Sequence, residues 1–244
     1  MNILVVNDDG IESEGLKMLV KACAHFGQVY VSAPKYQQSA QSHAMTLTEY
    51  LEIEEVKDII GALKAIKVTG SPVDCVRAGM SIFDAEFDLI VSGINDGSNL
   101  GTDILYSGTV AAAMEGHLYH VPAIAFSAPT LDLPYLYDEV IKLLDEMIES
   151  ELYNNTALLN INFPKPSFAK PLGTKITKQG RRVYESDLVK SDKPNLYHQS
   201  FSIIRYQEEA DTDVTAYEEG YVSITPLMIE QTDFKKIKAI LKNE

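Results

Sequence analysis

The chain enters an apolar run, Ile3-Leu4-Val5-Val6, and passes at once into Asn7-Asp8-Asp9-Gly10. A short, largely β-branched run with no polar alternation suits a strand covered on both faces, as in a parallel sheet flanked by helices. Gly10 permits a sharp exit from that strand. In open sheets of this kind ligands bind beyond the carboxyl ends of the strands, where the strand order reverses, so Asp8 and Asp9 stand where chemistry is expected. Taken alone, Asn-Asp-Asp-Gly reads equally well as a solvated turn.

The pattern that follows extends the same architecture. Leu16, Leu19, Val20 and Cys23 recur at helical spacing behind Ser13, a good N-cap, and Gly27 ends that helix before the strand Val29-Tyr30-Val31. Strand, helix and strand at this length form a right-handed crossover. Pro34 to Thr48 is a polar connection that leaves the second strand at the edge where Asp8 and Asp9 lie, and Leu51, Ile53, Val56, Ile66 and Val68 suggest partly exposed strands. Ser71-Pro72 opens a helix through Met80. Asp88 to Ser92 reads as a buried strand running into Gly93–Asp103, a long Gly/Asn/Asp loop of the kind that is usually functional. A helix then starts within Tyr106–Gly116, and its small first-turn residues leave N–H groups and the helix dipole open to an anion. His117 and His120, at its far end, suit capping better than metal binding. A strand at Val121–Ser127, a helix through Leu136, Val140, Leu143, Leu144 and Met147, and a strand at Leu158–Phe163 complete an α/β, doubly wound, mostly parallel sheet, Rossmann-like and three-layered.

Beyond Pro164 the character changes. Pro164, Pro166, Pro171, Gly173 and Gly180 break the chain, and residues 182 to 225 alternate in short segments, as in an antiparallel hairpin arm that packs against a partner subunit. Phe234, Ile237, Ile240 and Leu241 predict a terminal amphipathic helix. The expected division is a core over residues 1–165, holding the site, and a C-terminal extension over 166–244.

Composition removes whole classes of function. With 45% hydrophobic and 23% charged residues the chain is an ordinary globular one. A net charge of -14 disfavours a nucleic-acid polymer as partner, because such binding draws its affinity from Lys and Arg on phosphates. No basic, apolar leader opens the sequence, and no apolar run reaches the roughly 18 residues of a membrane span, so a cytoplasmic protein without membrane attachment is expected. Cys23 and Cys75 lack metal spacing and read as buried thiols. Gly-Lys-Ser/Thr is absent, as is Gly-x-Gly-x-x-Gly after the first strand, so neither a P-loop nor a dinucleotide fold is indicated.

Three segments bring hard oxygen donors to one sheet edge: Asp8 and Asp9, then Ser39, then Asn95. This set suits one Mg²⁺ or Mn²⁺ per subunit and leaves about two of six octahedral positions for a water and a phosphate oxygen. The N–H groups of Ser107-Gly108-Thr109 are placed for the remaining phosphate oxygens.

Val6–Gly10, Gly70-Ser-Pro-Val-Asp-Cys-Val76, Val91-Ser-Gly-Ile-Asn-Asp-Gly-Ser-Asn-Leu-Gly101, Tyr106-Ser-Gly-Thr-Val110 and Gly220-Tyr-Val-Ser-Ile-Thr-Pro-Leu227 together resemble the stationary-phase survival protein SurE family of nucleotidases. That resemblance implies Asp8, Asp9, Ser39 and Asn95 as metal ligands. It also implies hydrolysis of nucleoside 5′- or 3′-monophosphates, and a homodimer or homotetramer formed by exchange (domain swapping) of the C-terminal arm. The family carries Asn-x-Ser-Gly around the serine, whereas here Gln37-Gln38-Ser39-Ala40 stands, and Ala40 is restricted where glycine takes positive φ freely. The expected chemistry is phosphomonoester hydrolysis by a metal-activated water attacking in line, with Asp8 or Asp9 orienting it or accepting its proton. Asn99, Ser107, Gly108 and Thr109 would stabilise the equatorial oxygens. Two alternatives stay open. An aspartyl-phosphate phosphatase would use Asp8 as nucleophile but usually carries Asp-x-Asp, and a non-catalytic nucleotide sensor would need no free metal positions.

Overall fold

Ile3, Leu4, Val5 and Val6 of β1 (Asn2–Val6) are fully buried, because β1 lies at the centre of a sheet covered on both faces. In the computed structural model, which describes residues 1–150, 157–204 and 209–241, β1 is followed by α1 (Glu14–Cys23), β2 (Gln28–Pro34), β3 (Ile53–Glu55), β4 (Ala62–Val68), α2 (Pro72–Ile82) and β5 (Leu89–Asp96). A 3₁₀ turn (Gly101–Leu105), α3 (Gly108–Leu118), β6 (Ala123–Ala128), α4 (Leu136–Glu149) and β7 (Leu158–Asn162) come next. The extension adds β8 (Thr174–Ile176), β9 (Val183–Lys190), β10 (Tyr197–Ile204), α5 (Asp213–Glu219), β11 (Val222–Pro226) and α6 (Phe234–Leu241). Residues 205–208 of the expected arm and 242–244 of the extension lie outside the described residues.

Nine strands form the main sheet in the order β3-β4-β2-β1-β5-β6-β7-β11-β8, with β4, β2, β1, β5, β6 and β7 parallel. The chain moves outward from β1 to β2 and β4, then crosses back to β5 on the other side of β1. The reversal of strand order therefore falls between β1 and β5, and the carboxyl ends of those two strands carry Asp8-Asp9 and Asn95.

Side-chain alternation along β1 builds two cores, one on each face. Ile3 and Val5 join Leu16, Leu19 and Val20 of α1 and Val140, Leu143 and Leu144 of α4. Leu4 and Val6 join Cys75 and Val76 of α2 and Val110, Ala112 and Ala113 of α3. Each fully buried aliphatic side chain contributes roughly 1.5–3 kcal/mol of transfer free energy, so this one strand outweighs the surface ion pairs, worth about 0–1 kcal/mol each. Cys23 and Cys75 are buried free thiols. Close approach fixes α1 on the sheet: a Cβ on Gly15 would fall 2.0 Å from the Ile94 carbonyl oxygen, so only glycine fits there.

Two expectations change. β5 does not end at Ser92, because after a register shift it resumes pairing with β6 through Asn95↔Ser127 and Asp96↔Ala128, and the loop begins only at Gly97. Nor is 182–225 all arm. The separate antiparallel hairpin is confined to β9 and β10, while β11 pairs antiparallel with β7 and takes β8 as its own parallel neighbour. Val222 and Ile224 point into the same core as β1, which is why β11 is captured by the main sheet. Among the described residues no helix is long and apolar enough to cross a membrane.

Candidate active site

The turn after β1 is a built structure. Asn7 is fully buried, and its Nδ2 donates to the Gly10 carbonyl at 3.0 Å and to Ser13 Oγ at 2.8 Å, while its Oδ1 accepts from Gly10 N at 3.2 Å. The same Ser13 Oγ accepts from Leu16 N at 3.2 Å, so one amide couples the Asp8-Asp9 turn to the start of α1.

Asp8 is 4% exposed. Its Oδ1 accepts from the Thr109 hydroxyl, at the first turn of α3. A Cβ on Gly108 would lie 2.8 Å from Asp8 Cβ and 3.0 Å from its Oδ2, so glycine is what lets α3 begin against this carboxylate. Burial pushes the Asp8 carboxyl up to about 6; the Asp9 charge adds to the rise, and the hydroxyl and N–H of Thr109 oppose it. Asp9 is half-buried and is also raised by burial, with the Asp96 N–H and the Gln37 amide pulling the other way.

The segment after β2 closes over this turn. Gln38 N donates to the Asp8 carbonyl at 2.7 Å, and Gln37 Nε2 touches both Asp9 Oδ1 at 3.2 Å and Ser39 Oγ at 3.0 Å. Ser39 is thus brought beside Asp9. Ala40 adopts φ 58° in spite of its Cβ, so the left-handed geometry that glycine would supply is kept, at the cost an L-residue bears there. From β5, Asp96 N donates to Asp9 Oδ2 at 3.3 Å, and Asn95 Nδ2 donates to the Gly97 carbonyl at 2.8 Å, which spends the nitrogen end of that amide on backbone.

The phosphate candidates converge on the same end of the sheet with their side chains engaged. Ser107 Oγ caps α3 by accepting from Val110 N at 3.1 Å, and the Thr109 hydroxyl is held by Asp8. Asn99 Nδ2 donates to Ser127 Oγ at 2.8 Å and its N to Asn162 Oδ1 at 2.8 Å, while its carbonyl accepts from Asn160 and Asn162 at 2.9 and 3.1 Å. Asn7, Gln37, Ser127, Asn160 and Asn162 do not figure in the sequence analysis as site residues. Two asparagines in the otherwise apolar Leu-Leu-Asn-Ile-Asn of β7 are a signal for the last pair, since buried amides need partners.

Among the described residues no three His, Cys, Asp or Glu side chains gather to hold a metal. A cation at this edge would take neutral oxygens beside the two carboxylates, which is the donor chemistry of Mg²⁺ and Mn²⁺. The surroundings fit such an ion, because the Asp9 charge adds to the rise of the Asp8 carboxyl, the Asp96 charge adds to that of Asp9, and no basic side chain offsets either.

The Survival protein SurE family model matches residues 3–186. The chain is 38% identical to a protein named 5′-nucleotidase SurE from Clostridium botulinum (strain Eklund 17B / Type B), over 99% of each chain. It is 36% identical to one of the same name from Alkaliphilus metalliredigens (strain QYMF), over 100% of this chain and 98% of the other. The crystal structure of SurE protein from Aquifex aeolicus superposes with a TM-score of 0.83 at 33% identity, covering 100% of this chain and 99% of that one. Sequence and fold agree: the chain belongs to the SurE family.

Proposed function

We propose that the protein is a divalent-metal-dependent nucleotidase, a phosphoric monoester hydrolase that converts nucleoside 5′- or 3′-monophosphates to nucleoside and phosphate. The observation that carries this proposal is the meeting of Asp8, on the N-terminus of α3, with Asp9 and Ser39 at the reversal of strand order. The nucleotidase names of the relatives support it.

Asp8, Asp9, Ser39 and Asn95 would hold the cation. When bound, Mg²⁺ or Mn²⁺ supplies Lewis acidity toward a phosphoryl oxygen and lowers the pKa of a coordinated water. Asp9, the more accessible of the two carboxylates, orients the attacking water and takes its proton. Asp8 has one oxygen held by Thr109 and is buried, which suits a fixed ligand and ill suits the nucleophile of an aspartyl-phosphate enzyme. Negative charge on the equatorial phosphoryl oxygens would meet the N–H of Gly108 and the dipole of α3. Ser107, Thr109 and Asn99 hold the frame on which that N–H rests. The subunits pair as a dimer or tetramer through the β9–β10 arm.

The test is phosphate release from adenosine 5′- and 3′-monophosphates with EDTA, then with Mg²⁺ or Mn²⁺ restored, together with acid trapping of any phosphoenzyme. Release that depends on the cation, without a trapped intermediate, is expected. Trapped phosphate on Asp8 would favour the aspartyl-phosphate route, and tight nucleotide binding without release would make the protein a sensor.

A further inference from the structure

The loop that carries Ser39 is held on its far side by a buried carboxylate that no step above uses. Glu115, in the middle of α3, is 4% exposed, and its two oxygens face different elements. His43 Nε2, on the loop, donates to Oε2 at 3.0 Å, and Arg77 Nη1, on α2, donates to Oε1 at 3.1 Å. A carboxylate this far out of water needs charged or hydrogen-bonding partners, and Arg77 alone neutralises it.

His43 sits among other fastenings. Ser42 Oγ donates to the Leu105 carbonyl at 2.6 Å, Ser71 Oγ to the Ala44 carbonyl at 2.6 Å, and Thr46 N to Asp74 Oδ1 at 3.0 Å. Between these anchors and Asp8 runs Ser39–Ser42, in which Ala40 and Ser42 have φ 58° and 54°. L-residues avoid that region unless their surroundings impose it. A loop released from its anchors would relax toward negative φ and draw Ser39 away from Gln37 and Asp9.

We infer that His43 and Glu115 are positioning residues: their pair is the clasp that holds Ala40 and Ser42 left-handed and so keeps Ser39 beside Asp9. Arg77 neutralises Oε1 of Glu115 and leaves Oε2 for His43. The consequence for catalysis rests on Ser39 being a metal ligand, as proposed above, whereas the clasp itself is a statement about the loop.

His43→Ala removes an exposed side chain and should leave the fold intact. Amide hydrogen exchange across residues 37–42 should quicken in this variant, and Mn²⁺ affinity by calorimetry should fall roughly tenfold or more, as for other supports behind metal ligands. Turnover lost at limiting Mn²⁺ should return at saturating Mn²⁺. Ala40→Gly, which removes the left-handed cost, should restore most of the affinity in the His43→Ala background, and Glu115→Gln should reproduce the defect. Unchanged exchange at 37–42 in His43→Ala overturns the clasp, and so does failure of Ala40→Gly to restore Mn²⁺ affinity. A wild-type protein that released no phosphate would overturn the nucleotidase proposal yet leave the exchange result standing.

Discussion

Asp8 and Asp9 are neighbours in sequence with unlike surroundings, and their substitutions should separate accordingly. Asp9→Asn keeps shape and one acceptor oxygen at a half-buried position while removing the charge that would take a proton. Turnover should fall by about 10²–10⁴, with a circular dichroism spectrum like that of the wild type; a metal-loaded Asp9→Asn protein hydrolysing at near-normal rate would refute the role. Gly108→Ala tests the approach of α3 from the opposite direction. In an open helix alanine would stabilise by about 1 kcal/mol over glycine, but here its Cβ would meet Asp8 Cβ at 2.8 Å and Pro72 Cγ at 3.0 Å. Activity should therefore drop at least tenfold without the gain in thermal stability that helix propensity alone predicts, as kinetics and a melting curve on one preparation would show. That Asp8, Asp9, Ser39 and Asn95 come to one sheet edge was legible, because donor type and strand ends are written in the sequence. Asn7 and Gln37 were not, since an amide earns its place only through partners brought close by folding. Ala40 keeps the glycine-like geometry because a local φ preference of about 1–2 kcal/mol is weaker than a loop fastened at several points.

At the scale of elements, Asp213 joins three pieces of the chain that sequence alone keeps apart. It opens α5, is fully buried, and accepts from Gly101 N at 2.8 Å, Gly180 N at 2.7 Å and Val214 N at 2.8 Å. Gly101 begins the 3₁₀ turn leading to α3, and Gly180 lies just before β9, so one carboxylate ties the site loop to the root of the arm. Thr102 and Asp103 add to this junction, the hydroxyl of the first donating to the Arg182 carbonyl and the carboxylate of the second accepting from Arg182 Nη1 at 2.9 Å. Asp213→Ala would strand buried N–H donors, each costing about 1–3 kcal/mol. Urea unfolding should show a loss of about 3–5 kcal/mol for Asp213→Ala and less for Asp213→Asn, which retains an acceptor oxygen. Equal stability of all three proteins would show that the junction is slack. The 182–225 stretch was misread for the same reason: a period of two identifies a strand and is silent on which sheet receives it. β11 finds its partner in β7, a pairing between Ser223 and Asn162 that no local pattern encodes.

For the whole molecule, the doubly wound core was readable because apolar runs and amphipathic helices alternate, and the identity of β5 as the strand across the reversal from β1 was not, because strand order is set by packing of the two helix layers. The arm poses the remaining question. β9 and β10 form a two-stranded sheet of their own, and such a hairpin is marginal in water without further cover. Leu188 and Phe201 on it are 68% and 61% exposed, and no residue of α6 is buried although Phe234, Ile237, Ile240 and Leu241 line it. Exposed apolar side chains on a hairpin and a helix without cover suit an interface, and a second copy of the chain is the partner we propose. Two copies at a net charge of -14 each repel at long range, so association should tighten as salt screens that repulsion, with a Debye length near 10 Å at 0.1 M ionic strength. Light scattering should give the mass of a dimer or tetramer, more fully populated in moderate salt than in its absence. Leu188→Asp with Phe201→Asp should yield monomers that keep their metal affinity, because the proposed ligands Asp8, Asp9, Ser39 and Asn95 all come from one chain. A wild-type protein that scatters as a monomer at micromolar concentration in moderate salt would remove the arm from assembly.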